Sequence, residues 1–223
     1  ESESESNADS DHKPESNPNP NPNPNPNPNP NPESGSELTE PSESKLAKTP
    51  VLFVPGLLGT EISDANNNLL WLDIATMVLS TSDTFLDSLQ FKNNLTPYDN
   101  NLILKNVITQ KNIPLFPNYD YIQSLINAFQ EQGYITNEGS AGQDFFTFPY
   151  DWRYGVSGVI PNPANLSQRP LTNIDLLSAR INQLAAISPT GRVDVIAHSL
   201  GGLVVKKYVV DTDNPKIGKL IFV

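Results

Sequence analysis

The stretch that decides the fold is Val193-Asp194-Val195-Ile196-Ala197-His198-Ser199-Leu200-Gly201-Gly202. Its first half is mostly apolar and short, which predicts a buried strand over 193–197. The apolar segment that follows Ser199 predicts a helix running to about Val210. A sharp turn at 198–202 joins the two elements. A strand that passes through a tight turn into a helix is one half of an α/β unit.

The same alternation extends outward along the chain, with a strand–helix–strand order that predicts an α/β fold with a mostly parallel sheet and flanking helices. The runs at 193–196 and 220–223 are apolar enough for central strands that are buried on both faces. The predicted elements are a strand at Val51–Val54 stopped by Pro55-Gly56, a helix from Tyr121 to Gly133, a strand at Asp144–Phe148, a helix between a Thr172-x-x-Asp175 capping box and Pro189, and a strand at Ile217–Val223.

Composition excludes several classes of protein. The 223 residues carry 25 acidic and 14 basic side chains, a net charge of −11, which argues against a nucleic-acid-binding protein. The absence of Cys excludes disulfides and thiolate metal ligands, and His12 and His198 are too few for a histidine zinc site, so we expect no metal and no cofactor. No apolar run is long enough for a membrane-spanning helix.

The first 49 residues differ from the rest of the chain. Glu-Ser repeats and the Asn-Pro repeat of 17–32 leave almost no large apolar side chains, so we expect 1–49 to be a disordered acidic linker. Residues 50–223 are long enough to form one core. A repetitive acidic linker favours an exported or cell-surface protein. Within the domain, residues 69–91 are apolar but lack a helical or strand period.

Ser199 is the candidate nucleophile. A catalytic serine must stand clear of the sheet on a crowded strand-to-helix turn, which requires small residues two before and two after it. Ala197 and Gly201 meet this requirement, and the helix start directs the Leu200 N–H toward a developing oxyanion. The alternative is an ordinary turn with an exposed serine. His198 is adjacent to Ser199 and cannot fold back as its base, so we interpret it as a packing residue.

A second oxyanion donor is expected from the loop that follows the first strand. The glycines of Val54-Pro55-Gly56-Leu57-Leu58-Gly59-Thr60 allow a close approach of the backbone, and Leu57 is the candidate donor. The alternative is a glycine-rich turn without this role. A phosphate-binding loop is disfavoured because no Gly-Lys-Ser/Thr follows.

Four strings in chain order carry a resemblance to a known family. They are Pro50 to Glu61 (PVLFVPGLLGTE), Trp71-Leu72-Asp73, Phe148 to Arg153 (FPYDWR), and Ala197 to Gly202 (AHSLGG). Together they resemble the lecithin:cholesterol acyltransferase family of the α/β-hydrolases, with its lysosomal phospholipase and phospholipid:diacylglycerol acyltransferase relatives. The resemblance covers most of 50–223, which it implies is an α/β-hydrolase domain with a lid-like segment at 61–95.

The resemblance implies a serine-nucleophile lipid O-acyltransferase or lipase that works through an acyl-Ser199 intermediate. It assigns the oxyanion hole to the amides of Leu57 and Leu200, and acyl-chain contact to Trp71 in the lid. The lid would touch a membrane interface, and the partners would be lipid or other acyl-ester substrates. We interpret Tyr150 to Arg153 as structural, with Asp151 and Arg153 anchoring the sheet edge and Trp152 buried.

The chain departs from this pattern in its triad. In α/β-hydrolases an acid and then a His follow the serine, but here only Asp211 and Asp213 follow Ser199 and no His does. We therefore expect an N-terminal part of a longer enzyme, truncated within the fold and inactive alone. Two alternatives stay open: an esterase acting on non-lipid substrates such as cell-wall esters, and a non-catalytic binding domain. The oligomeric state is open.

Overall fold

The computed structural model describes residues 46–113, 117–160 and 171–223, so nearly all of the predicted linker at 1–49 lies outside the described residues. The strands are β1 (Val51–Val54), β2 (Thr60–Ser63), β3 (Leu69–Trp71), β4 (Ile103–Val107), β5 (Gln110–Lys111), β6 (Tyr119–Asp120), β7 (Phe145–Thr147), β8 (Val159–Ile160), β9 (Leu171–Thr172), β10 (Val193–Ala197) and β11 (Ile217–Phe222). The α-helices are α1 (Ile74–Leu79), α2 (Gln123–Glu131), α3 (Asn173–Ile187) and α4 (Leu200–Asp211), and 3₁₀ turns occupy Thr84–Leu89 and Trp152–Tyr154.

A parallel sheet forms the centre of the fold. Its four strands lie in the order β11-β10-β1-β7, and every pairing between them is parallel. Helices lie against both faces, so the predicted α/β character is confirmed. A separate antiparallel sheet, β3-β2-β4, follows directly from the loop after β1.

Successive residues of the central strands point to opposite faces of the sheet, as the period of a strand requires. On one face Leu52 and Val54 of β1 pack with the apolar side chains of α3 and α4. On the other face Val51 and Phe53 pack against α2 and its preceding Ile122. Both faces of β1 and β10 are thereby covered, which is why these strands read as continuous apolar runs.

The predicted helix and strand positions hold to within a few residues. Thr172 forms the expected capping box: its hydroxyl accepts the N–H of Asp175 at 3.3 Å, and the Asp175 carboxylate accepts the N–H of Thr172 at 2.8 Å. Helix α3 ends at Ile187, before Pro189. Helix α2 ends before Gly133, whose φ of 76° is the left-handed geometry that terminates helices.

One prediction about the elements was wrong. The last strand was expected to be central and buried on both faces, but β11 is the outer strand of the described sheet, with Ile221 50% and Phe222 56% exposed. An apolar sequence shows that a strand is able to be buried. It does not show which elements cover that strand in this chain. The segment 69–91, which lacks a period in sequence, contains β3, α1 and the 3₁₀ turn at Thr84–Leu89, each too short to display one.

No helix in the described ranges is long and apolar enough to cross a membrane.

Candidate active site

Two loops leave the same edge of the parallel sheet side by side. Strands β1 and β10 are neighbours, and Val54 lies opposite Ala197 where both strands end. The loop 55–59 and the turn 198–202 therefore begin next to each other. The N–H of His198 donates to the carbonyl of Val54 at 3.0 Å, which fastens the turn to the end of β1.

The strand order places the point where the chain connections diverge between β1 and β10. The next strand of the sheet after β1 is β7, on one side, whereas β10 is followed by β11 on the other side. In open α/β sheets, ligands bind beyond the carboxyl ends of two strands whose connections diverge in this way. By this rule, the strand order makes the space between the loop 55–59 and the turn 198–202 a candidate binding site.

Ser199 has a strained backbone at this crevice. Its φ of 50° and ψ of −121° lie in a region that non-glycine residues rarely adopt, at a cost of about 1–3 kcal/mol. The turn is closed by N–H groups of Gly201 and Gly202, which donate to the carbonyls of His198 and Ser199 at 2.9 Å each. Ser199 occupies the N-cap of α4, yet its side chain makes no capping hydrogen bond. The exposed hydroxyl is therefore left free for another purpose.

Glycines allow the loop and the turn to touch. A Cβ on Gly56 would lie 2.8 Å from Nδ1 of His198 and 2.9 Å from Cβ of Ser199. A Cβ on Gly201 would lie 2.6 Å from the carbonyl oxygen of Val54 and closer still to that of Pro55. All of these distances are shorter than real Cβ contacts, so both positions require glycine, and Gly56 brings the loop against Ser199.

The two expected oxyanion donors lie on either side of this contact. Leu200 is the first residue of α4, and Leu57 directly follows Gly56. Neither amide N–H meets an acceptor within 46–113, 117–160 or 171–223. Free N–H groups at a helix start and in a glycine loop are the donors that an oxyanion needs.

Aromatic side chains hold the loop from outside. The hydroxyl of Tyr150 donates to the carbonyl of Pro55 at 3.0 Å, and Nε1 of Trp152 donates to the carbonyl of Thr60 at 3.1 Å. Nε1 of Trp71 donates to the carbonyl of Leu58 at 2.8 Å. Trp71 and Trp152 also meet edge to face, with ring centroids 5.9 Å apart. These donors fix the path of the loop, and none of them was foreseen in this role from the sequence.

Asp151 and Arg153 form an ion pair next to these donors. The guanidinium donates to both carboxylate oxygens of Asp151, at 2.6 and 2.9 Å, and also to the carbonyl of Leu89 at 3.4 Å. Asn173 donates to the carbonyl of Asp151 at 2.9 Å. These bonds join the segment after β7 to the 3₁₀ turn at Thr84–Leu89 and to α3. They agree with the interpretation of Asp151 and Arg153 as structural residues. Trp152, expected to be buried, is only half-buried, although its indole N–H is bonded to the carbonyl of Thr60.

Tyr121 connects the loop to the turn. Its hydroxyl accepts the N–H of Gly56 at 2.9 Å and lies 3.2 Å from Nδ1 of His198. Burial raises the pKa of the Tyr121 hydroxyl, which stays protonated at neutral pH. His198 is half-buried and meets the Tyr121 ring edge to face, so it packs as predicted and also makes this polar contact. The apolar period from Tyr121 onward predicted a helix boundary there. Nothing in that pattern predicted that the Tyr121 hydroxyl would bond to the loop.

Apolar cavities adjoin the loop. One of about 340 Å³ lies between Leu57, Leu58, Trp71 and Tyr121, so Trp71 borders an apolar space as well as bonding to the loop. Another of about 370 Å³ is lined by Phe53, Tyr121, Ile196 and His198, among others. A larger cavity, of about 610 Å³, lies by Lys207 and Asp211 at the far end of α4 and touches none of the residues around Ser199.

The described residues do not supply Ser199 with a catalytic base. His198 contacts Tyr121 instead, and Asp211 pairs with Lys207 at 2.7 Å at the opposite end of α4 from Ser199. His12 lies outside the described residues. In the same ranges, no three His, Cys, Asp or Glu side chains come together as metal ligands would.

No protein-family model matches the chain, and none of the curated proteins matches it significantly. The sequence resemblance therefore stands on the four strings alone, and the geometry between the loop 55–59 and the turn 198–202 is the independent basis for assigning a function.

Proposed function

We propose that this chain carries the nucleophile and oxyanion hole of a serine enzyme with the α/β-hydrolase fold, which forms an acyl-Ser199 intermediate from an ester. The observation that carries the proposal is Ser199 itself: a strained, exposed serine between strand and helix, whose hydroxyl takes no part in capping. Strain of this kind persists where the surrounding structure enforces it, and it concentrates at active sites.

The chemistry follows from the groups around Ser199. The hydroxyl oxygen attacks the ester carbonyl carbon, while a base takes its proton. The negative charge that develops on the carbonyl oxygen is stabilised by the N–H groups of Leu57 and Leu200. The intermediate collapses, the proton passes to the leaving alcohol, and the acyl group remains on Ser199 until water or a second alcohol removes it.

We further propose that the acyl chain is that of a lipid ester. The cavity of about 340 Å³ beside Leu57 is lined mainly by apolar side chains and borders the expected oxyanion donor directly. Val78 and Leu79 at the end of α1 are 60% and 80% exposed, which suits a lid that contacts a lipid interface. The resemblance to the lecithin:cholesterol acyltransferase family supports the same substrate class, and Trp71 borders the cavity as an acyl contact would.

In this proposal the acid and base of the triad are not among these 223 residues. The repetitive acidic tail suits an exported or cell-surface location. The test therefore uses the full-length product of the gene. A fluorophosphonate probe should label that protein at Ser199, and Ser199→Ala should abolish labelling, whereas Ser157→Ala, at another exposed serine, should leave it intact. The 223-residue chain should label at least about a thousandfold more slowly, because it lacks the base.

Equal labelling of the wild type and Ser199→Ala would rule out the nucleophile. An absence of labelling in the full-length product would favour a non-catalytic binding domain, the alternative that the lack of a base among the described residues supports. Hydrolysis of long-chain phospholipid and of short soluble esters should then be compared. A preference for the short esters would move the chemistry to non-lipid substrates.

A further inference from the structure

We infer that Tyr121 is a positioning residue. It holds the loop 55–59 against the turn 198–202, in the conformation in which the Leu57 N–H serves as an oxyanion donor. The inference rests on the proposed function, which supplies the role of Leu57. Its structural basis is separate: one hydroxyl accepts the N–H of Gly56 at 2.9 Å and reaches Nδ1 of His198 at 3.2 Å, so it bridges the two loops of the site.

The peptide group between Pro55 and Gly56 is held at both ends. Tyr150 donates to its carbonyl at 3.0 Å, and Tyr121 accepts from its N–H at 2.9 Å. The next carbonyl, that of Gly56, accepts the N–H of Gly59 at 3.2 Å. Because the N–H of a trans peptide points opposite to its carbonyl, this bond directs the Leu57 N–H away from Gly59.

Glycine makes such restraint necessary. Gly56 has to lack a side chain because a Cβ there would clash with His198 and Ser199. The same absence lets its peptide groups rotate through conformations that other residues cannot reach. An oxyanion hole stabilises the transition state only if its donors are aimed before the reaction, so the freedom of Gly56 must be removed by bonds from elsewhere.

Tyr121 is itself held firmly enough to restrain the peptide groups of Gly56. Its ring meets Phe53 edge to face at 6.4 Å between centroids and stacks on Tyr119 at 6.3 Å. Its backbone N–H donates to the carbonyl of Thr109 at 2.9 Å. Since the hydroxyl oxygen accepts from Gly56, its hydrogen is available to Nδ1 of His198 in the tautomer that carries its proton on Nε2.

The test is Tyr121→Phe in the full-length product, which removes one oxygen and keeps the ring. We expect kcat for ester hydrolysis to fall about tenfold to a hundredfold with KM unchanged, since the lost interaction acts on the transition state. The rate of fluorophosphonate labelling of Ser199 should fall in parallel. Tyr98→Phe is the control, because Tyr98 is 60% exposed, lines neither cavity beside the loop 55–59, and its hydroxyl meets no partner in the described ranges.

A second readout does not depend on catalysis. In protein labelled with ¹⁵N-glycine, the Gly56 amide should exchange with solvent faster in Tyr121→Phe than in the wild type, and should be unchanged in Tyr98→Phe. An unchanged kcat, an equal loss in both variants, or an unchanged Gly56 amide would each overturn the inference. Equal labelling of the wild type and Ser199→Ala would instead overturn the proposed function and the inference together, which distinguishes the two failures.

Discussion

At the scale of single residues, two adjacent glycines of α4 serve different purposes. A Cβ on Gly201 would overlap the backbone carbonyls of Val54 and Pro55, which cannot move without shifting the end of β1. A Cβ on Gly202 would come closest to the ring of Phe222, at 3.1 Å, and that side chain is 56% exposed. Only the first position is therefore required for the turn to pack against the loop 55–59.

Substitution of the two glycines should separate these effects. Gly201→Ala should lower the free energy of unfolding by about 1–3 kcal/mol, because the overlap outweighs the roughly 0.5–1 kcal/mol that alanine contributes in a helix. Gly202→Ala should change the free energy of unfolding by no more than about 0.5 kcal/mol, or raise it. Urea denaturation followed by circular dichroism measures both. Equal losses of unfolding free energy in the two variants would show that Gly201 is no more required to be glycine than Gly202.

At the scale of elements, α3 shows how local sequence sets a boundary. The Thr172–Asp175 pair closes a reciprocal cap at the start of the helix, and the helix then buries Leu177, Ile181 and Leu184 against the sheet. A cap of this kind can be read from sequence because every bond in it joins residues three apart. The burial that follows depends on the 3.6-residue period and is equally local in origin.

Removal of this cap should cost a predictable amount. Thr172→Ala should lower the free energy of unfolding by about 0.5–2 kcal/mol, since the N–H of Asp175 loses its acceptor. Thr172→Ser keeps the hydroxyl and should remain within a few tenths of a kcal/mol of the wild type. Thermal unfolding of the three proteins under one condition tests this. If the serine variant were as unstable as the alanine variant, the hydroxyl would not be what stabilises α3.

At the scale of the whole molecule, tyrosines that are fully or partly buried link the stability of the fold to pH. Burial is the largest cause that raises the pKa of Tyr121, Tyr150, Tyr154 and Tyr208. Tyr150 is fully buried, with its hydroxyl on the carbonyl of Pro55. Each of these groups resists losing its proton in the folded state and loses it readily once unfolded.

The stability of the protein should therefore decline in alkali. Above about pH 10 the unfolded chain releases tyrosine protons that the folded chain retains, so the free energy of unfolding decreases as the pH rises. Below that pH the contribution is fully present. Tyr150→Phe should be less stable at neutral pH, because Pro55 loses a donor, yet show a shallower decline between pH 10 and about 12. Urea unfolding across this range checks the slope, and an unchanged slope would exclude Tyr150 as a source.

The agreement between sequence and structure is uneven for a physical reason. Strand β10, the turn at Ser199 and helix α4 were all predicted because their signals lie within a few neighbouring residues. The exposure of β11 and the short elements of 69–91 were not, because a strand does not encode its neighbours and short elements show no period. The hydrogen bonds that link Tyr121 to Gly56, Trp71 to Leu58 and Trp152 to Thr60 escaped prediction because each joins residues distant in sequence.

By itself, then, the sequence determined the α/β alternation, the helix cap at Thr172, and the small residues that let a serine stand on a tight turn. Those features depend on backbone geometry and on contacts within a turn of chain. The tertiary structure alone decided that β1 and β10 are neighbours, that Gly56 therefore touches Ser199, and that the Tyr121 hydroxyl joins the two loops. Strand order and long-range hydrogen bonds arise when the whole core packs, and no local pattern carries them.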